Sequence, residues 1–144
     1  MNKILVLNGP NLNLLGAREP EIYGNTSYTE LVASLTSLGI QLGFDVDVRQ
    51  SNSEGQLIDW LHEAFNAKIP VVINPAAFTH YSYALRDAVS ALTSSSIPVI
   101  EVHISNPHSR EEFRKTSVIS AVATGTIAGF GIASYSLALR QLAS

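Results

Sequence analysis

Glu101 and His103 stand two residues apart in a run that reads as a strand, so their side chains share a face. A carboxylate placed there can hold one ring nitrogen and decide which nitrogen meets a ligand, an arrangement suited to a general acid. An exposed ion pair at a strand end would show the same spacing. Arg18 and Tyr23 form a second pair, inside a segment bracketed by Gly16 and Gly24. A phenol titrates near 10, too high for a base at neutral pH. A nearby guanidinium favours the phenolate, so the two residues could make a tyrosinate base when their segment folds over a ligand. Tyrosines in loops are common, and the pair alone does not decide the matter.

Other chemistries find little support. There are no cysteines, which removes disulfides, thiolate nucleophiles and thiolate metal sites and fits a reducing cytoplasm. No GxxxxGK[ST] or GxSxG pattern occurs, which argues against a P-loop and against an α/β-hydrolase elbow. Gly129-Phe130-Gly131-Ile132-Ala133-Ser134 is only a partial GxGxxG and follows the last predicted strand, so it reads as a tight strand–helix turn. Asn74 ends the third predicted strand, where a phosphoacceptor domain would want Asp. Lys3, Lys68 and Lys115 are the only lysines, and the first two sit at strand starts, opposite the expected site. His80, His103 and His108 share no compact metal-ligand motif, so no metal and no cofactor is expected.

The elements that must position these residues alternate between strand and helix. Apolar runs at Ile4–Leu7, Phe44–Val48, Val71–Ile73, Pro98–Val102 and Gly125–Phe130 predict strands. Helical spacing or caps predict helices over Tyr28–Leu42, ending at Gly43, over Glu54–Ala67 with Ser53 as N-cap, over Ser82–Leu92, and over Ile132–Leu142. Such alternation implies a parallel sheet covered on both faces. The size suits one α/β domain, residues 1–144, with the flavodoxin-like strand order 2-1-3-4-5. Ligands bind such sheets at the carboxyl ends of the strands, near the switch point between strands 1 and 3. The loops after Asn8, Asn74 and Val102 lie there. The first runs some nineteen residues, whereas βα loops usually take 2–6, which suggests a lid or a flexible surface loop.

The formal charge of -3, with scattered basic residues, gives no nucleic-acid footprint. The N-terminal apolar run is too short for a signal peptide, so a cytoplasmic protein is expected. Residues 117–139 carry no charge over 23 positions, but six are Ser or Thr and three are Gly, so a strand and a packed helix explain them better than a membrane span. A hydrophobic content of 46% in so small a chain suggests surface covered by other subunits.

The segments Asn8-Gly9-Pro10-Asn11-Leu12-Asn13, Arg18-Glu19-Pro20-Glu21-Ile22-Tyr23-Gly24, Thr79-His80, Ala84-Leu85-Arg86-Asp87-Ala88, Glu101-Val102-His103-Ile104-Ser105-Asn106 and Arg110-Glu111-Glu112-Phe113-Arg114 resemble, in order and spacing, the signatures of type II 3-dehydroquinases. The resemblance covers nearly the whole chain. It implies dehydration of 3-dehydroquinate to 3-dehydroshikimate, in the shikimate pathway, by anti elimination through an enolate. It implies that Tyr23 takes the C2 proton, with Arg18 and Arg114 favouring its phenolate. His103 then protonates the departing hydroxyl and Glu101 orients it, and Asn11 completes the catalytic set. Asn74, His80, Ile104, Ser105 and Arg114 are implied as substrate contacts, and Asp87 as reaching a neighbouring subunit's site within a dodecamer of trimers. Pro107, Phe78 and Tyr81 depart from the expected pattern, and Pro107 could shift Ser105 because proline fixes φ and lacks an N–H. The competing class is a flavodoxin-like module binding a nucleotide or flavin, against which the first loop lacks a Gly/Ser/Thr-rich phosphate pattern. A degenerate member kept as a scaffold is a third reading; intact Arg18, Tyr23 and His103 argue against it.

Overall fold

A computed structural model describes residues 1–17 and 19–144. The chain runs through β1 (Asn2–Asn8), a short helix α1 (Pro20–Tyr23), α2 (Tyr28–Leu42), β2 (Phe44–Gln50), α3 (Glu54–Ala67), β3 (Val71–Asn74), α4 (Tyr83–Ser94), β4 (Val99–His103), β5 (Gly125–Ala128) and α5 (Ala133–Ala143), with single 3-10 turns between some of them. The strands form one sheet of order β2-β1-β3-β4-β5 with every pairing parallel, as the alternation predicts.

Period-two alternation along the strands builds two cores. Ile4 and Val6 of β1 face α2 and α5, where they join Leu31, Leu35, Tyr135, Ala138 and Leu139. Leu5 and Leu7 face α3 and α4, where they join Leu57, Leu61, Leu85, Val89 and Leu92. Gly39 lets α2 approach β2 closely, because a Cβ there would lie 2.2 Å from Val46 Cγ2.

Local chemistry sets the helix ends. Ser27, Ser53 and Ser82 each accept a hydrogen bond from the backbone N–H three residues on, capping α2, α3 and α4. Ser82 is therefore the cap of α4, and that helix continues two residues past Leu92. Gly43 closes α2 in the left-handed region, and Lys68 does the same for α3 at φ 57. β5 stops at Ala128, earlier than Phe130, because Gly129 and Gly131 turn the chain at positive φ. The uncharged stretch ending at Leu139 resolves into irregular chain, β5 and α5, and no described helix is long and apolar enough to cross a membrane.

Register fixes where the chemistry must gather. Asn8 and Asn74, the last residues of β1 and β3, are direct partners in the ladder. Both are buried, and both meet the hydroxyl of fully buried Tyr135 from α5. Asn74 Nδ2 donates to Tyr135 Oη at 2.8 Å, and Tyr135 Oη donates to Asn8 Oδ1 at 2.6 Å. Burial pushes the Tyr135 phenol well above its ordinary range, so it serves as a neutral bridge.

Candidate active site

The strand ends lead into a pocket of about 580 Å³, mouth included, at the β1–β3 switch point. Gly9 follows β1 and donates its N–H to Asn74 O at 2.8 Å. A Cβ at Gly9 would lie 2.5 Å from Pro75 O, so only glycine lets the two loops touch. The β2 end supports the same loop: Asn52 Oδ1 accepts from the Asn11 N–H at 3.0 Å, and Gln50 Nε2 donates to Gly9 O at 3.1 Å. Asn11, at φ 71, lines the pocket.

The loop after β3 turns through Ala76, a non-glycine residue at φ 53. Asn74 Oδ1 holds that turn by accepting from the Ala76 N–H at 3.1 Å. Asn74 is thus engaged on both sides of its amide, inward to Tyr135 and outward to Ala76. The short 3-10 helix that follows, Ala76–His80, delivers His80 to the pocket. His80 Nδ1 donates to Thr116 O at 2.7 Å, which leaves Nε2 as an acceptor. Burial holds His80 below the usual histidine range; the Thr116 bond opposes this, and nearby Arg114 and His103 add to it.

β4 carries Glu101 with no exposed surface, while half-buried His103 lines the pocket. His103 Nε2 lies 2.5 Å from Glu101 Oε2. The sequence left open an exposed ion pair; the carboxylate is instead completely enclosed. Burial alone would push Glu101 up, but the His103 bond and charge, with hydrogen bonds from Ser120 and Thr79, outweigh it and hold the carboxyl below its ordinary range. An ionised Glu101 requires Nε2 to carry the proton, and Nδ1 is then the nitrogen left to serve a ligand.

The long first loop is more ordered than its length suggests. Leu12–Leu14 forms a 3-10 turn and Pro20–Tyr23 a single helical turn, with proline at its first position. Tyr23 ends that turn and lines the pocket. Arg110, in the loop after β4, donates through Nη1 to the Tyr23 hydroxyl at 2.9 Å and to Ser105 Oγ at 3.2 Å, and its guanidinium carbon lies 5.3 Å from the Tyr23 ring centre. Its Nη2 also lies 3.9 Å from Glu19 Oε2. Arg110 therefore joins the first loop to the fourth.

Most predicted site residues converge. Ile104, Ser105 and Arg114 line the same pocket as Asn11, Tyr23, Asn74, His80 and His103. Arg18, expected beside Tyr23, lies outside the described residues. Arg114 pairs with Glu111, Nε to Oε1 at 3.0 Å, and packs on Phe113. Among the described residues, Arg110 places a guanidinium on the phenol; it stood in one of the segments above but received no role from the sequence. Asp87 is highly exposed on α4, 3.6 Å from Arg86, and is not among the pocket's lining residues. Pro107 starts a one-turn 3-10 helix, where its missing N–H has no partner to lose. Asn106 Oδ1 accepts from the His108 N–H at 3.1 Å, and Ser105 keeps its contact with Arg110.

Comparison with known proteins agrees with this fold. The family model described as dehydroquinase class II matches residues 2–143. The chain is 54% identical over 143 residues to a 3-dehydroquinate dehydratase of Caldicellulosiruptor bescii, covering 99% of this chain and 97% of that protein. It is 55% identical over 138 residues to the 3-dehydroquinate dehydratase of Mycobacterium tuberculosis, covering 96% and 92%. Among solved structures, the type II dehydroquinase from Propionibacterium acnes superposes with a TM-score of 0.96 at 55% identity, over 99% of this chain and 97% of that one. A 3-dehydroquinate dehydratase-like protein from Bifidobacterium longum gives 0.77 at 44% identity, over 99% and 96%. With one family model spanning residues 2–143, and relatives more than half identical end to end, the chain belongs to the class II dehydroquinase family.

Proposed function

We propose that the protein is a hydro-lyase that dehydrates 3-dehydroquinate to 3-dehydroshikimate, with Tyr23 as base and His103 as acid. The observation that carries this reading is the placement of a tyrosine held by a guanidinium and a histidine held by a buried carboxylate in one pocket. The C2 proton of the substrate is acidified by the adjacent ketone, so a base, an acid and support for an enolate suffice.

The elimination is written as two steps. The Tyr23 phenolate takes the C2 proton, and the C–H electron pair becomes the enolate. The Arg110 guanidinium, at the phenol oxygen, stabilises the charged form of the base before transfer. The enolate pair then returns to form the C1–C2 double bond and restore the ketone while the C1–O bond breaks, and His103 Nδ1–H supplies the proton that turns the departing hydroxide into water. The enzyme is left with a neutral phenol and a neutral imidazole, and a proton passed from one to the other through solvent resets it. Arg18 joins the cations around Tyr23 in this reading, and Asn11 helps to stabilise the enolate. Asn74, His80, Ile104, Ser105 and Arg114 hold the substrate.

The working form is proposed to be a cytoplasmic dodecamer of four trimers, in which Asp87 of one subunit serves a neighbour's site. Exposed Tyr81, Tyr83, Phe113 and Phe130 support extensive subunit contact, as does the position of Asp87 outside its own pocket.

The test is direct. Purified protein mixed with 3-dehydroquinate should show a rise in ultraviolet absorbance as the conjugated enone forms; folded protein that gives none would overturn the reading. Tyr23→Phe should lose turnover yet still bind substrate in a calorimeter, and retained turnover would remove Tyr23 as base.

A further inference from the structure

Glu101 receives more hydrogen bonds than its pairing with His103 needs. Its Oε2 accepts from His103 Nε2, from the Thr79 hydroxyl and from Ser117 Oγ at 3.1 Å. Its Oε1 accepts from Ser120 Oγ at 2.6 Å and again from Ser117 Oγ at 3.2 Å. The three hydroxyls come from separate stretches of chain, the turn after β3 and the segment before β5, and they close around the carboxylate on the side away from the substrate pocket. They also brace one another: Thr79 Oγ1 and Ser117 Oγ are 2.7 Å apart, and Thr126 Oγ1 donates to Ser120 Oγ at 3.2 Å. Ser117 Oγ in turn accepts the backbone N–H groups of Ile119 and Ser120, at 3.1 and 3.0 Å, so its single hydrogen can only be donated, to the carboxylate or to Thr79 Oγ1, and Thr79 must give its own hydrogen to Glu101.

Proton counting gives this arrangement a consequence. An ionised carboxylate has about four acceptor sites and no donor. Three donors are fixed on Glu101, the imidazole N–H and the hydroxyls of Thr79 and Ser120, and Ser117 either supplies a fourth or holds Thr79 in place by donating to it. Protonating Glu101 would set a donor against the His103 N–H and against Ser117, whose oxygen already accepts two backbone N–H groups and cannot accept a third. A single flanking carboxylate could orient a histidine, but it would not by itself exclude the alternative with the proton on the carboxyl and Nε2 as acceptor.

We infer that Thr79, Ser117 and Ser120 are positioning residues whose hydroxyls hold Glu101 as an acceptor on all sides and thereby lock His103 with its proton on Nε2 and Nδ1 toward the substrate. The catalytic consequence rests on the proposed elimination. The cage acts on delivery of a proton to the departing hydroxyl, and it leaves removal of the C2 proton by Tyr23 untouched. Losing one hydroxyl should therefore slow C1–O cleavage selectively.

The decisive variants are Ser120→Ala and the near-isosteric Thr79→Val, with Ser120→Thr as the hydroxyl-restoring control. Both losses should lower kcat about tenfold or more, since a positioned acid contributes at least that much, while KM stays within about twofold. The isotope effect on kcat with C2-deuterated 3-dehydroquinate should shrink toward one, because C1–O cleavage now limits the rate; Ser120→Thr should recover both values. An unchanged kcat, or a lower kcat with an unchanged isotope effect, would overturn the proposal. A second measurement needs no substrate. Nitrogen-15 shifts of the His103 ring in the free protein, read at a pH high enough that the ring is neutral, should report an Nε2–H tautomer in the wild type and a mixture in Ser120→Ala. The same single tautomer in both would overturn the cage even if the protein acts on some other molecule, and a mixture would support it whatever the assay with 3-dehydroquinate gives.

Discussion

Arg110 touches the phenol of Tyr23 and the hydroxyl of Ser105 through Nη1, turns Nη2 toward Glu19 and lays its guanidinium over the Tyr23 ring, so it works as a planar clamp as much as a charge. Arg110→Lys keeps the charge and loses the fork, and kcat should fall about 10²-fold, the usual effect of misplacing a reacting group by an ångström; steady-state kinetics with near-normal activity in the variant would contradict the clamp. Glu101 yields a second prediction through its lowered pKa. The folded carboxyl holds its proton more weakly than an ordinary glutamate at 4.5, so the stabilisation is complete above that value and is lost as pH falls through the folded pKa. Urea midpoints of the wild type should drop through that acid window, and the difference from Glu101→Gln should narrow there. At neutral pH the variant should be less stable by about 2 kcal/mol, the scale for hydrogen bonds to a buried charged group. The proposed acid and base were both legible as residue types, and Glu101 beside His103 was legible from a spacing of two. Arg110 was not assigned a role, because it lies 87 positions from Tyr23 and nothing local links them. Thr79, Ser117 and Ser120 were equally silent, since a hydroxyl's role depends on which buried charge the fold brings to it.

At the scale of elements, the same cap is made twice with different residues. Gly43 and Lys68 both close a helix in the left-handed region, but lysine carries a Cβ that this region disfavours. Lys68→Gly should raise stability by about 1 kcal/mol, less what the freer unfolded chain takes back. In a thermal melt that is an increase of about 3 °C; a lower Tm would show that Lys68 contributes more than its conformation costs. The strands and the four long helices were readable because their signals are local: runs of apolar residues, serine caps, glycine stops. The structure of the first loop was not. Its helical turn at Pro20–Tyr23 is too short to show periodicity, and its order comes from Asn52, Gln50 and Arg110, which are distant in sequence.

At the scale of the whole molecule, the proposed assembly can be tested by mixing. Asp87→Ala and Tyr23→Phe chains should each be nearly inactive. Refolded together, they should regain activity, because an Asp87→Ala chain keeps its own Tyr23 and can borrow Asp87 from a Tyr23→Phe neighbour. No regain, with sedimentation showing mixed particles about twelve times the 15.5 kDa chain, would mean that each site is self-sufficient. The parallel order β2-β1-β3-β4-β5 was legible from the alternation of elements, since few right-handed arrangements suit five strands of this size. The bridge through Tyr135 was not, because a tyrosine in an apolar helix reads as core. That bridge joins residues 127 positions apart. As the chain leaves the ribosome, Asn8 Oδ1 and Asn74 Nδ2 must stay turned to water until α5 arrives. Most of the sheet can pair before then, so the floor of the active site is the last part of the protein to be finished, and a chain interrupted before α5 is a scaffold with its chemistry still unset.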